Sequence, residues 1–274
     1  MKLQFSKMHG LGNDFVVIDG TRQRYNLTKE NINFLADRHF GIGCDQVLLL
    51  EKASEKDVDF FCHIFNADGT EIEQCGNGMR CIAKFAYENN LTDKKKLTLA
   101  TFALKITTQI EDDGNVTVNM GTPIIAENLP YKLATDLEIE MGIISVGNPH
   151  AIVLVDDVIT APVETMGPII AKHPRFPNGI NVNFAQIVNR NCIKLRVYER
   201  GAGETLACGS GACASVALGI LRNLLGTTVE VQLPGGNLKV IWQDSLSPIL
   251  LNGPAITVFH GETTVNQHSH QKTS

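Results

Sequence analysis

The chain has 274 residues, 43% of them hydrophobic, and a net charge of −5 spread over mixed-sign segments. That length suggests two domains of about 100–200 residues, with enough apolar content for a sizeable core. The charge pattern speaks against a nucleic-acid stripe or a like-charged arm, and no apolar run approaches the ~20 residues of a membrane helix.

Residues 2–8 read as the first strand. The opening MKLQFSKMHG has no apolar run of the kind that marks a secretory leader, so a cytoplasmic protein is expected. His9-Gly10-Leu11-Gly12 is a lone GxG followed by a strand at 14–18, which is not a dinucleotide fingerprint. Strands at 46–51 and 59–65 follow, with Gln46 in GCDQV. The segment NADGTEIEQCGNG then carries Asn66, Cys75, Gly76 and Asn77 to the first long helix. On that helix Met79, Ile82, Ala83 and Ala86 share one face, while Arg80, Lys84 and Glu88 line another. Its Cys-Gly-Asn-Gly start lacks the Lys-Ser/Thr of a phosphate loop. Strands at 97–101, 104–110 and 115–120 close this series, with Asp113-Gly114 as a turn.

A second series runs in the same order. Strands at 142–146 and 151–155 flank Gly147-Asn148-Pro149-His150, and Asn181 in GINV precedes strands at 182–187 and 193–198. The segment ERGAGETLACGSG carries Glu199, Arg200, Cys208, Gly209 and Ser210 to a helix that is apolar nearly all round and should be buried on most sides. Strands at 228–233, 237–243 and 255–259 follow. The polar tail, residues 264–274, reads as disordered.

The two series match residue by residue. Asn13 and Asn148, like Gln46 and Asn181, are 135 positions apart. Asn66 with Glu199, Glu71 with Glu204, Cys75 with Cys208, Gly76 with Gly209 and Gly78 with Gly211 are all 133 apart. Four matched patches in one order predict a duplicated domain. The expectation is an α+β protein of two pseudo-symmetric, β-rich domains, each wrapped around one helix. Residues 1–118 form the first, with 254–263 returning to it, and residues 119–253 form the second.

The seven cysteines are an odd number without a CxxC, which argues against a disulfide framework and against a zinc site. Cys44, Cys62, Cys81, Cys192 and Cys213 read as small hydrophobes. Cys75 and Cys208 differ, since each precedes a glycine at a helix start. Unpaired N–H groups and the helix dipole there lower a thiol pKa and can hold a carboxylate. A single Cys-Gly before a helix is more often a tight turn with a core cysteine, and duplication could reflect shared ancestry alone. The polar residues at matching places (Asn13/Asn148, Gln46/Asn181, Asn66/Glu199) tip the reading toward a site with paired acid and base. His150, beside Asn148, is placed with them. His39, His63, His173 and His260 read as structural.

These segments resemble the diaminopimelate epimerases. MHGLGNDFVVID, GIGCDQ, FNADGTEIEQCGNGMRC, GNPHAIVLVDD, GINVNFAQ, VYERGAGETLACGSGACA and NGPA span nearly the whole chain, and the two cysteine runs are highly specific. The resemblance implies interconversion of LL- and meso-diaminopimelate, for lysine and peptidoglycan precursors, without pyridoxal phosphate, metal or any other cofactor. It implies two mixed β-barrels, each around a central helix, with the site between them, in a homodimer that acts on a small molecule. It makes Cys75 and Cys208 the acid/base pair and has Gly76-Asn77 and Gly209-Ser210 hold the reacting carboxylate. Asn13, Asn66, Asn148, Asn181 and Arg200, with Gln46 and Glu199, would recognise the rest. His150 and Glu199 would position the amino group. Phe259, where tyrosine is common, leaves the dimer geometry open. A proline racemase or phenazine-type isomerase of the same fold, a non-catalytic binding protein and a thiol redox protein are the rival readings. Which cysteine deprotonates which stereoisomer is not written in the sequence.

Overall fold

The computed structural model describes residues 1–132 and 138–265. The first half runs β1 (Lys2–Gly10), β2 (Asn13–Asp19), α1 (Lys29–Ala36), β3 (Gln46–Lys52), β4 (Phe60–Asn66), α2 (Gly76–Glu88), β5 (Lys96–Ala100), β6 (Lys105–Ile110) and β7 (Val116–Asn119). The second runs β8 (Ile124–Lys132), β9 (Glu138–Ser145), β10 (Pro149–Leu154), α3 (Val163–Ala171), β11 (Asn181–Asn189), β12 (Cys192–Glu199), β13 (Gly203–Thr205), α4 (Gly209–Leu221), β14 (Thr228–Leu233), β15 (Gly236–Ile241) and β16 (Leu250–Gly253). The last strand is β17 (Ile256–Thr264). No described helix is long and apolar enough to cross a membrane.

The repeat is visible in the pairing. In one half the neighbours are β17, β1, β2, β3, β4, β5, β6 and β7, with β2–β3 and β4–β5 parallel and the rest antiparallel. In the other they are β8, β9, β10, β11, β12, β14, β15 and β16, with β10–β11 and β12–β14 parallel and the rest antiparallel. Even the register agrees. Phe15 faces Gln46 in the first half, and His150 faces Asn181 in the second. β7 pairs antiparallel with β16 and joins the halves. β17 fills beside β1 the place that β8 holds beside β9. The expected boundary at 118/119 falls inside β7.

Each sheet curves round its helix. α2 packs against β1, β2, β3, β6 and β7, and α4 against β9, β10, β11, β12, β15 and β16. α4 is buried from Gly211 through Gly219, as its all-round apolar sequence requires. Both helices share one continuous core with Phe15, Leu48, Val118, Ile152, Val197 and Leu251. A second layer covers the outside. α1 packs Ile32 and Leu35 on Val16, Ile18, Val47 and Leu49, and α3 packs Val163 and Ile170 on Val182 and Phe184. The parallel pairs β2–β3 and β10–β11 are thus covered on both faces, which is why their strands read as continuous apolar runs rather than alternating ones.

Two expectations are corrected. Arg80, placed on one helix face with Lys84 and Glu88, is wholly buried, because strands enclose α2 there. Of the tail expected to be disordered, Thr264 belongs to β17, and buried Val265 donates its N–H to the Met1 carbonyl at 3.0 Å. Residues 266–274 lie outside the described residues.

Candidate active site

Both central helices begin at a cysteine in extended backbone, Cys75 before α2 and Cys208 before α4. The two starts converge. A Cβ on Gly76 would stand 3.3 Å from Leu251 Cδ2, and one on Gly209 would stand 2.8 Å from the same atom and 3.6 Å from Asn77 Oδ1. The turns ahead of the matched asparagines cross over between the halves. Gly12 and Gly147 both adopt positive φ, at 88° and 80°, where a side chain would be strained. A Cβ at Gly12 would meet Leu206, two residues before Cys208, and one at Gly147 would meet Gln74, next to Cys75. Each half therefore closes over the other's cysteine approach.

Around Cys75 the polar groups form a chain. Cys75 Sγ accepts the Gly78 N–H at 3.4 Å and donates to Asn13 Oδ1 at 3.7 Å. Asn77 Nδ2 donates to the same Asn13 oxygen at 3.2 Å, and Asn13 Nδ2 donates to Asp45 Oδ2 at 2.9 Å. Asp45 is anchored by Arg38, which also grips Asp14 with both prongs. Lys7 adds a third cation contact on Asp14, and against the raising effect of burial Arg38 first and then Lys7 hold that carboxyl at about 2. Gln46 Nε2 donates to Asn66 Oδ1 at 2.9 Å, while its own buried oxygen has no partner among the described residues.

Around Cys208 the arrangement is more acidic. Its Sγ donates to Glu199 Oε2 at 3.3 Å and lies 3.6 Å from Ser210 Oγ. Glu199 also accepts from Thr205 Oγ1 at 2.6 Å. His150 is one step back from the sulfur. Its Nε2 stands 3.0 Å from Ser210 Oγ and 3.0 Å from Asn148 Oδ1, and its Nδ1 is 3.2 Å from Asn183 Oδ1. Asn183 spends its amide nitrogen on Gly211 O and Ser215 Oγ, so its oxygen accepts. Both ring nitrogens thus face an amide oxygen, and the Ser210 hydroxyl is the contact that can donate to Nε2. His150 is wholly enclosed, and burial pushes it down to about 4, so it is neutral.

Helix starts were expected to lower the thiol pKa values, and here that effect is outweighed. Burial, helped by the Glu199 charge, pushes Cys75 up to about 11 despite the Gly78 N–H and Arg80. Burial and Glu199 push Cys208 well above its ordinary value. Burial also raises Glu199 itself.

Arg200 stands further out. Its N–H donates to Asn181 Oδ1 at 2.8 Å, and its guanidinium bonds Asn178 O. With Phe176, Tyr198 and His173 it lines a cavity of 410 Å³ that neither cysteine reaches. The structure therefore groups Asn13, Asn77 and Cys75, groups Asn148, His150, Glu199, Cys208 and Ser210, and places the Gln46–Asn66 and Asn181–Arg200 pairs at matching strand ends. Residues that sequence reasoning left out are Asp45, Thr205, Asn183 and Arg80. Asn183 had a signal, since it follows Asn181 by two and so shares its face of β11.

The family model described as diaminopimelate epimerase matches residues 5–126 and 142–258. The chain belongs to the diaminopimelate epimerase family. The diaminopimelate epimerase of Aromatoleum aromaticum is 50% identical, with 97% of this chain and 100% of that protein covered. That of Nitrosomonas eutropha is 52% identical, with 95% and 99% covered. Solved structures extend the likeness at the level of fold. A PhzF-family phenazine biosynthesis protein from Bacillus anthracis superposes with a TM-score of 0.75 at 17% identity, over 97% of this chain and 100% of that one. A hydroxyproline epimerase from Agrobacterium vitis, with bound trans-4-hydroxy-L-proline, gives 0.74 at 17% identity, over 97% and 94%. Membership in the epimerase family makes the chain an isomerase.

Proposed function

We propose that this epimerase interconverts LL- and meso-diaminopimelate by carrying the α-proton between Cys75 and Cys208. The observation that carries the reading is the pair of cysteines at converging helix starts, supplied by two repeats of identical strand pairing. The repeats, 1–118 with 254–263 and 119–253, would act as two walls, each offering one sulfur.

The α-proton of an amino acid is a very weak acid. Its removal needs charge stabilisation where the carbanion forms, in a site that excludes water. Unpaired N–H groups at Gly76-Asn77 and Gly209-Ser210 would hold the carboxylate from two sides and strengthen as negative charge spreads onto it. Glu199, with its pKa raised, can receive the Cys208 proton. The resulting thiolate would take the α-proton on one face while the Cys75 thiol gives its proton on the other. In the reverse direction the sulfurs exchange tasks. Asn181 and Arg200 would take the distal end of the substrate, where Arg offers a planar fork to a carboxylate.

The test is turnover of LL-diaminopimelate in deuterated, metal-free and cofactor-free buffer. With two bases, early meso product carries deuterium at the inverted carbon while the remaining substrate stays unlabelled. Early label in recovered substrate, at the rate of product formation, would point to a single exchanging base. Turnover of proline but not diaminopimelate would overturn the substrate reading.

A further inference from the structure

Arg80 stands on the second turn of α2, five residues past Cys75, and is wholly buried. Its Nε donates to the Pro254 carbonyl at 3.1 Å, and its Nη2 to Asn77 Oδ1 at 2.8 Å. Its Nη1 has no partner among the described residues. Backbone closes around the guanidinium. A Cβ on Gly10 would lie 2.8 Å from Nη2, and one on Gly253 3.4 Å from Cζ. The titratable groups that act on it are thiols: Cys75 and Cys81 on its own helix and Cys213 on α4. Among the described residues no carboxylate is paired with it.

A buried cation with no counter-ion is costly, and here it sits beside a helix start that is already positive. Stability does not account for such a residue, since an apolar side chain of similar size would serve the core at least as well. We propose that Arg80 is a positioning residue for the Cys75 half of the site. Its charge favours the thiolate at Cys75 and the negative charge that develops at the helix starts. Its fork also sets the direction of the amide chain. Arginine only donates, so Asn77 must turn its oxygen to Arg80 and its nitrogen to Asn13. At the far end the Asp45 carboxylate, held by Arg38, accepts, so Asn13 turns its nitrogen there and its oxygen toward Asn77 and Cys75. The order Arg80, Asn77, Asn13, Asp45 has one orientation, and Cys75 meets a fixed acceptor. This inference rests on the epimerase reading above.

The experiment compares wild type with Arg80→Met, Arg80→Gln and Arg80→Lys. It reads melting temperature, kcat and KM for diaminopimelate, and the pH profile of Cys75 alkylation by iodoacetamide, followed on the Cys75 peptide by mass spectrometry. Arg80→Met is expected to melt at or above wild type, to shift Cys75 alkylation to higher pH, and to lose at least about tenfold in kcat with little change in KM. Arg80→Lys should restore the alkylation profile and part of kcat. Should the methionine variant fail to fold, the glutamine variant, which keeps a donor for Asn77 without the charge, is read the same way. Wild-type kcat with an unchanged alkylation profile overturns the proposal, as does a lowered melting temperature with unchanged alkylation, which would mark a structural arginine. If wild type does not turn over diaminopimelate, the substrate reading fails while the alkylation arm still decides the role of Arg80.

Discussion

For Cys75 two effects oppose each other. A helix start stabilises a neighbouring anion by about 0.3–1 kcal/mol, up to ~2 in partly buried geometry. A thiol at about 11, against an ordinary 9.0, is disfavoured as an anion by roughly 3 kcal/mol. Burial wins, so both thiols rest protonated at neutral pH. Cys75→Ala and Cys208→Ala should each abolish epimerisation and leave the melting temperature near wild type. Cys62→Ala, in the fully buried core, should cost about 1 kcal/mol in a denaturant titration and keep kcat. Full activity in either of the first two removes that cysteine from the mechanism. His150 gives a pH signature. Its folded pKa of about 4 lies below the unfolded 6.5. Above pH 6.5 the ring is neutral in both states and its contribution is complete. As pH falls from 6.5 to about 4, only the unfolded chain takes the proton, and up to about 3 kcal/mol is lost. Urea midpoints at pH 7 and pH 4.5 should differ less in His150→Asn than in wild type; equal differences would mean the ring is not buried neutral. The two cysteines were legible because the sequence spells their surroundings twice. Arg80 was not, because a helical wheel shows which residues share a face but not whether strands enclose it.

At the level of elements, the helix starts are tight, most of all at Gly209. Gly209→Ala would press a methyl onto Leu251 Cδ2 at 2.8 Å, and Leu251 also borders Gly76. The overpacking should cost about 1–3 kcal/mol and, if the two starts hold one carboxylate as proposed, lower kcat more than tenfold by spreading them. A variant with normal kcat would show that the spacing is not needed. Most strands were readable to within a few residues, since alternation such as Lys105–Ile110 reports one buried face directly. The outer helices were not. α1 is only eight residues long, though Thr28 and Asn31 cap it reciprocally, and α3 carries Gly167 and Pro168 within nine residues. Neither offers a long enough period to separate helix from loop. β13 and β16, three and four residues long, are strands only because neighbours pair with them.

On the scale of the whole molecule, two copies of one plan face each other through β7–β16 and through the starts of α2 and α4. A site divided between two walls has a characteristic failure. Mild oxidation should inactivate the enzyme reversibly by bridging Cys75 to Cys208, and peptide mapping should find that link. A Cys75–Cys81 bridge instead would mean the sulfurs do not share a site. The arrangement of β17 also governs how the protein is made. β1 has β2 on one side and β17 on the other, yet β17 is translated after every other described strand. At about 5–20 residues per second, the ribosome takes on the order of ten seconds to go from the end of β7 to β17. Throughout that interval the outer edge of β1 is unpaired, a template for another chain. Although synthesised first, the amino-terminal repeat cannot complete its sheet until β17 has been made.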